Sequence, residues 1–169
     1  MKSELQISQV DAASLLCGDT PFTFDMDVKE NIESLIRSHL KWLDKHYSSS
    51  KHKPDPNTHL CLVAVNTGGI VVAYQYFYFE PGKESCELFA IYVASAYRRQ
   101  GIANTLFLRA IEVASGTGCN HFNVRLSAPT TEEKKGLEDH YRRYADANQQ
   151  RLAFTIFTPT EVIKLPNCR

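Results

Sequence analysis

The chain has 169 residues, 43% of them hydrophobic, with 19 basic and 19 acidic side chains that balance to a formal charge of zero. It is long enough to bury one proper core, and no compositional shift divides it, so a single domain over residues 1–169 is expected. Neutrality removes bulk attraction to nucleic acid or an anionic membrane, and no apolar run nears the ~20 residues that span a bilayer. The start, MKSELQISQVD, lacks the apolar stretch of a signal peptide, and a cytoplasmic location is expected. The five cysteines, Cys17, Cys61, Cys86, Cys119 and Cys168, are widely spaced without a Cys-x-x-Cys pair, so reduced thiols are expected. The six histidines show no His-Glu-x-x-His spacing, and there is no Walker loop or Gly-x-Ser-x-Gly elbow. A metal centre and a covalent mechanism are therefore disfavoured.

In chain order, Leu5 to Val10 reads as a first strand, and Asp11 to Cys17 and Val28 to Lys45 as helices. Val28, Ile32, Leu35, Ile36, His39 and Leu43 fall on one face of the second helix, where His39 reads as a core histidine. Tyr47 to Thr58, with three serines in a row and two prolines, reads as a loop. His59 to Val65 and Ile70 to Phe79 are strand-like runs joined by Asn66-Thr67-Gly68-Gly69, a strong hairpin signal. In the run Tyr74 to Phe79 the tyrosines alternate with Gln75, Phe77 and Phe79, so one tyrosine-rich set faces one side of the sheet, chiefly as core. Pro81 to Glu84 reads as a turn into the strand Cys86 to Val93. A helix follows, with Ile102, Leu106, Ala110 and Val113 at helical spacing. His121 to Leu126 then reads as a strand, Thr131 to Asn148 as a helix, Leu152 to Thr158 as a strand, and Val162 to Leu165 as a short last one before Pro166.

The run Glu87 to Gly101, ELFAIYVASAYRRQG, carries most of the functional information, because an apolar strand passes through an arginine-rich turn directly into a helix. The first helical turn leaves backbone N–H groups unpartnered and adds the positive end of the helix dipole. Gly101 presents no side chain, Ala103 is small, and Arg98 and Arg99 supply charge-assisted donors, which together suit a phosphate. The competing reading is an ordinary strand-to-helix turn with solvated arginines.

Arg98-Arg99-Gln100-Gly101-Ile102-Ala103 resembles the Gln/Arg-x-x-Gly-x-Gly/Ala signature of the GNAT N-acetyltransferase superfamily and lies between a central strand and a helix, as it does there. The element order resembles that family too. The resemblance implies a mixed α/β, acetyl-CoA acyltransferase-like fold: a central, mostly antiparallel twisted sheet whose parallel fourth and fifth strands splay apart, with flanking helices. It implies that Arg98, Arg99, Gln100, Gly101, Ile102 and Ala103 bind the pyrophosphate of acetyl-CoA, with Asn104 and Thr105 adding side chains. Main-chain N–H groups near Ile91, Tyr92 and Val93 would meet the acetyl oxygen.

Acetyl transfer from a thioester to an amine needs a base for the ammonium, donors for the carbonyl oxygen, and a proton for the departing thiolate. Glu87 is the candidate base: it opens the central strand, and strict alternation would set it on the face of Phe89, Ile91 and Val93. The family's lysine-acetylating members resemble this in carrying a glutamate on the same strand. The other reading of Glu87 is a strand-end carboxylate paired with Arg98 or Arg99. Tyr141 is the candidate acid. His140-Tyr141-Arg142-Arg143-Tyr144 resembles the family's Phe-Tyr segment, whose tyrosine meets the thiol of CoA, although His140 replaces an apolar residue. Tyr144 is the fallback, and both tyrosines could instead pack on the sheet. Arg125, inside a strand, is placed to pair with an acidic residue or to reach toward the phosphates or an acidic acceptor.

These features point to an acetyl-CoA-dependent N-acetyltransferase moving acetyl to a primary amine, on a small molecule, a peptide or a protein, as monomer or homodimer. The alternative from another class is a non-catalytic acyl-CoA-binding module that keeps the phosphate loop and lacks the chemistry.

Overall fold

The computed structural model describes residues 4–11, 14–15, 18–47, 58–79, 84–127, 132, 135–136, 139–140, 142–143 and 151–157. The sheet is seven-stranded: β1 (Gln6–Asp11), β2 (Thr23–Phe24), β3 (His59–Val65), β4 (Ile70–Phe79), β5 (Ser85–Val93), β6 (His121–Ser127) and β7 (Arg151–Phe157). Its order is β1-β3-β4-β5-β6-β7, with β2 beside the start of β4. Pairing is antiparallel for β1–β3, β3–β4 and β4–β5, and parallel for β2–β4, β5–β6 and β6–β7. The helices are α1 (Met26–Tyr47) and α2 (Ile102–Gly116). Residues 132, 135–136, 139–140 and 142–143 are also helical.

Local chemistry explains the element ends. Asp25 opens α1: its side chain accepts from the Asp27 N–H at 3.1 Å and its carbonyl from the Lys29 N–H at 2.9 Å. In the β3–β4 turn, Asn66 Oδ1 accepts from the Gly68 and Ile70 N–H groups at 2.9 and 3.0 Å, while Gly69 takes the positive φ of 76° that the turn needs. The short β2 had no sequence signal, since two residues are too few for an alternation. The first expected helix is described only at residues 14–15, which are helical. The Pro81–Lys83 part of the second turn, Tyr141, Tyr144 and the Val162–Leu165 strand lie outside the described residues, as do the side chains of His39 and Arg125.

Each face of the sheet carries its own core. On one, Ile102, Leu106, Phe107, Ala110 and Ile111 of α2 pack on Leu62, Phe77, Cys86 and Leu88. On the other, Val28, Ile32 and Ile36 of α1 pack on Cys61, Val63 and the buried tyrosines Tyr74, Tyr76 and Tyr78. The tyrosine-rich side of β4 is thus core, and two of its hydroxyls have side-chain partners. Tyr74 donates to Asn31 Oδ1, and the Tyr76 hydroxyl meets His59 Nδ1 at 2.8 Å.

Burial pushes the Cys61 and Cys86 thiols above their ordinary value of 9.0, with Cys119 and Glu87 adding to the rise at Cys86. The thiols therefore stay protonated in the folded chain when those of the unfolded chain ionise. Their stabilisation is intact below pH 9 and is lost as pH rises toward the folded values. By pH 10 the loss reaches about 1.4 kcal/mol per thiol, read as a lower urea midpoint than at pH 8 that a Cys61→Ala, Cys86→Ala variant reduces.

Candidate functional site

The site forms where β5 and β6 part. β6 pairs with β5 from Ser85↔His121 to Leu88↔Val124, while β5 continues to Val93 and β6 to Ser127 without further pairing to each other. The departure coincides with a β-bulge: Phe77 faces Leu88 but Tyr76 faces Ala90, so Phe89 is the extra residue. Gln75, 3% exposed, braces the bulge by donating its side-chain N–H to the Ala90 carbonyl at 2.9 Å. Beyond the bulge the Ala94 N–H bonds the Val72 carbonyl at 2.9 Å. By strand alternation the Tyr92 N–H also turns toward β4, and the Ile91 and Val93 N–H groups turn to the opened side. Of the three main-chain donors expected, then, the backbone aims Ile91 and Val93 into the gap and Tyr92 away from it.

The bulge also corrects the face of Glu87. An extra residue reverses the alternation, so Ile91 and Val93 share the α2 face with Cys86 and Leu88, whereas Glu87 shares the α1 face with its register partner Tyr78 and with Ala90 and Tyr92. Glu87 is half-buried, and on its other side it faces Asn123, one pair before the strands separate. The carboxylate therefore stands at the fork, on the side opposite α2.

The turn after β5 runs through a 3₁₀ turn, Ser95–Tyr97, into α2. Arg99 and Gly101 both take left-handed backbone, with φ of 61° and 79°. Gly101 is the N-cap, and its carbonyl accepts the first intrahelical bond, from the Thr105 N–H at 3.1 Å. The Gly101 to Asn104 N–H groups precede any helical acceptor and emerge at the end of the helix. A Cβ placed on Gly101 would meet no heavy atom within 4 Å, so the space beside these donors is open. This arrangement of donors, open space and two arginines fits a pyrophosphate.

The side chains of the loop divide into those turned outward and those holding its shape. Arg98 folds back: its Nε donates to the Val93 carbonyl at 3.0 Å and its guanidinium lies 5.7 Å from the Tyr92 ring centroid. Both arginines are exposed; Arg98 ties the strand end through its Nε, and Arg99 is the more available cation. Gln100 is exposed and reaches the Ala96 carbonyl at 3.4 Å, Ile102 is buried in the α2 core, and Ala103 is half-buried. The Thr105 hydroxyl turns back to the Gly101 carbonyl at 3.2 Å, and Asn104 Oδ1 meets His140 Nε2 at 3.1 Å. Tyr141 lies outside the described residues.

Sequence reasoning missed three supports. Asn66 Nδ2 donates to the Tyr97 hydroxyl at 3.0 Å, tying the β3–β4 turn to the loop. Gln75 was visible only as a lone carboxamide in an aromatic strand. The Asn104–His140 contact joins residues 36 apart and left no local pattern.

A family model described as the acetyltransferase (GNAT) family matches residues 28–148. Among solved structures, the chain is similar to an aminoglycoside acetyltransferase from an uncultured soil metagenomic sample, at 15% identity and a TM-score of 0.49, over 82% of this chain and 90% of that one. It is similar to an IAA acetyltransferase from Bacillus cereus at 18% identity and a TM-score of 0.48, over 81% and 75% of the two chains. An aminoglycoside N-acetyltransferase in complex with CoA aligns at 13% identity and a TM-score of 0.46, over 84% and 88%. A search of curated proteins returns no match. The matched span begins in α1 and takes in the bulged strand, the left-handed loop and the α2 donors described above; the chain belongs to the GNAT family of acetyltransferases.

Proposed function

We propose that this chain is an acetyl-CoA-dependent N-acetyltransferase that passes the acetyl group directly to a primary amine. One observation carries the reading: the left-handed turn at Arg99 and Gly101 exposes the α2 N–H groups beside the gap left by the parting of β5 and β6. The Gly101 to Asn104 amides and Arg99 would hold the pyrophosphate, and Arg98 would hold the loop. Acetyl-CoA supplies an activated acyl group and a thiol leaving group. Glu87 takes a proton from the acceptor ammonium, leaving a neutral nitrogen able to attack the acyl carbon. The Ile91 and Val93 N–H groups donate to the carbonyl oxygen as negative charge builds there. Tyr141 gives its hydroxyl proton to the departing sulfur and regains one from the amide nitrogen, which sheds its extra proton as the carbonyl re-forms.

The test is thiol release from acetyl-CoA against a panel of small amines, amino sugars, peptides and a lysine-bearing protein. Release with one class identifies the acceptor. CoA binding without thiol release from any of them would instead make the chain an acyl-CoA-binding module. Tyr141→Phe is expected to lower kcat about tenfold with little change in CoA affinity. The loss is modest because a thiol, with a pKa near 8.5, also leaves as the anion. If the loss occurs in Tyr144→Phe and not in Tyr141→Phe, the acid is Tyr144.

A further inference from the structure

We infer that Asn104 and His140 form a clasp across the cofactor site and that His140 is a positioning residue for bound CoA, a role that rests on the cradle reading above. β5, β6 and β7 run parallel and in order, so two right-handed connections put α2 and the helical residues after β6 on the same face of the sheet. The Asn104–His140 hydrogen bond, 3.1 Å long, joins those two connections. Asn104 sits in the first turn of α2, within the group of exposed N–H donors, so the bond lies at the cradle's own end of the helix.

The chemistry of the pair suits this role. An amide oxygen accepting from an imidazole N–H is polar at both ends, and both side chains are exposed, so the contact contributes little to a core. What it does contribute is order. It holds the Asn104 side chain on His140 and sets the distance between α2 and that residue. Pre-setting that distance removes an ordering cost from binding. An apolar residue at position 140 could make no such bond, which gives the histidine a use.

The test measures CoA binding and release with no acceptor present. His140→Ala is expected to speed CoA dissociation about fivefold, the worth of one side-chain hydrogen bond, with the melting temperature of the free chain unchanged. His140→Gln, which still offers an N–H, is expected to restore most of the residence time. Asn104→Ala is expected to match His140→Ala, and the double variant to be no worse than either, as one shared contact requires. In the free chain, His140→Ala should shift the Asn104 side-chain amide resonance. An unchanged dissociation rate, additive losses, or tighter binding in His140→Ala would each overturn the clasp. Wild-type protein that fails to bind CoA would overturn the cradle itself.

Discussion

Gly101→Ala is expected to weaken CoA binding about 100-fold, ~2.7 kcal/mol, while costing the free chain only about 1–2 kcal/mol. The two losses have different origins. Gly101 sits at φ 79° and ψ 5°, a left-handed conformation that any side chain resists. In the free chain a Cβ there touches nothing within 4 Å, so strain is the whole of the folding cost. For the ligand, the same Cβ stands beside the Gly101 to Asn104 donors and holds a phosphate oxygen away from them. Gly69→Ala is the control, because Gly69 has φ 76° and equally open surroundings in the β3–β4 turn. It should lower the melting temperature similarly and leave CoA affinity intact. Calorimetry with CoA on both variants decides the matter: equal affinities would remove the cradle from this loop.

Glu87→Gln is expected to reduce kcat about 100-fold, within the range that general-base catalysis contributes, with CoA affinity unchanged. The carboxylate stands at the fork between Tyr78 and Asn123, and glutamine keeps its shape and one acceptor oxygen but cannot take a proton. The defect should shrink as the pH climbs toward about 10, where a free amine sheds its own proton and needs no base. A defect that stays constant with pH would make Glu87 a shape or charge element and move the base elsewhere.

Much of this architecture was legible in the chain because it is written in short-range chemistry. The Asn66 to Gly69 turn, the helical spacing from Ile102 to Val113 and the Arg98 to Ala103 signature each lie within a dozen residues and obey one periodicity. β4 and β5 were readable as strands for the same reason. What stayed hidden depends on pairing between distant segments. The bulge at Phe89 exists only relative to β4, so strict alternation along β5 assigned Glu87 to the wrong face. Arg98 was readable as a phosphate ligand from its charge, but its bond to the Val93 carbonyl was not, because that depends on how the turn closes. Asn66 was recognised as a turn residue, but the second use of its side chain, on Tyr97, requires the loop 31 residues later to come back over it.

The bulge makes residue count, and not residue identity, the parameter to which this strand is most sensitive. Substituting Phe89 changes one side chain. Deleting it would rotate everything upstream in β5 by half a turn, carrying Glu87 under α2 and swinging Leu88 and Cys86 out from beneath it. An exhaustive substitution library would therefore pass over the strand's most critical property, and a single-codon deletion library would find it.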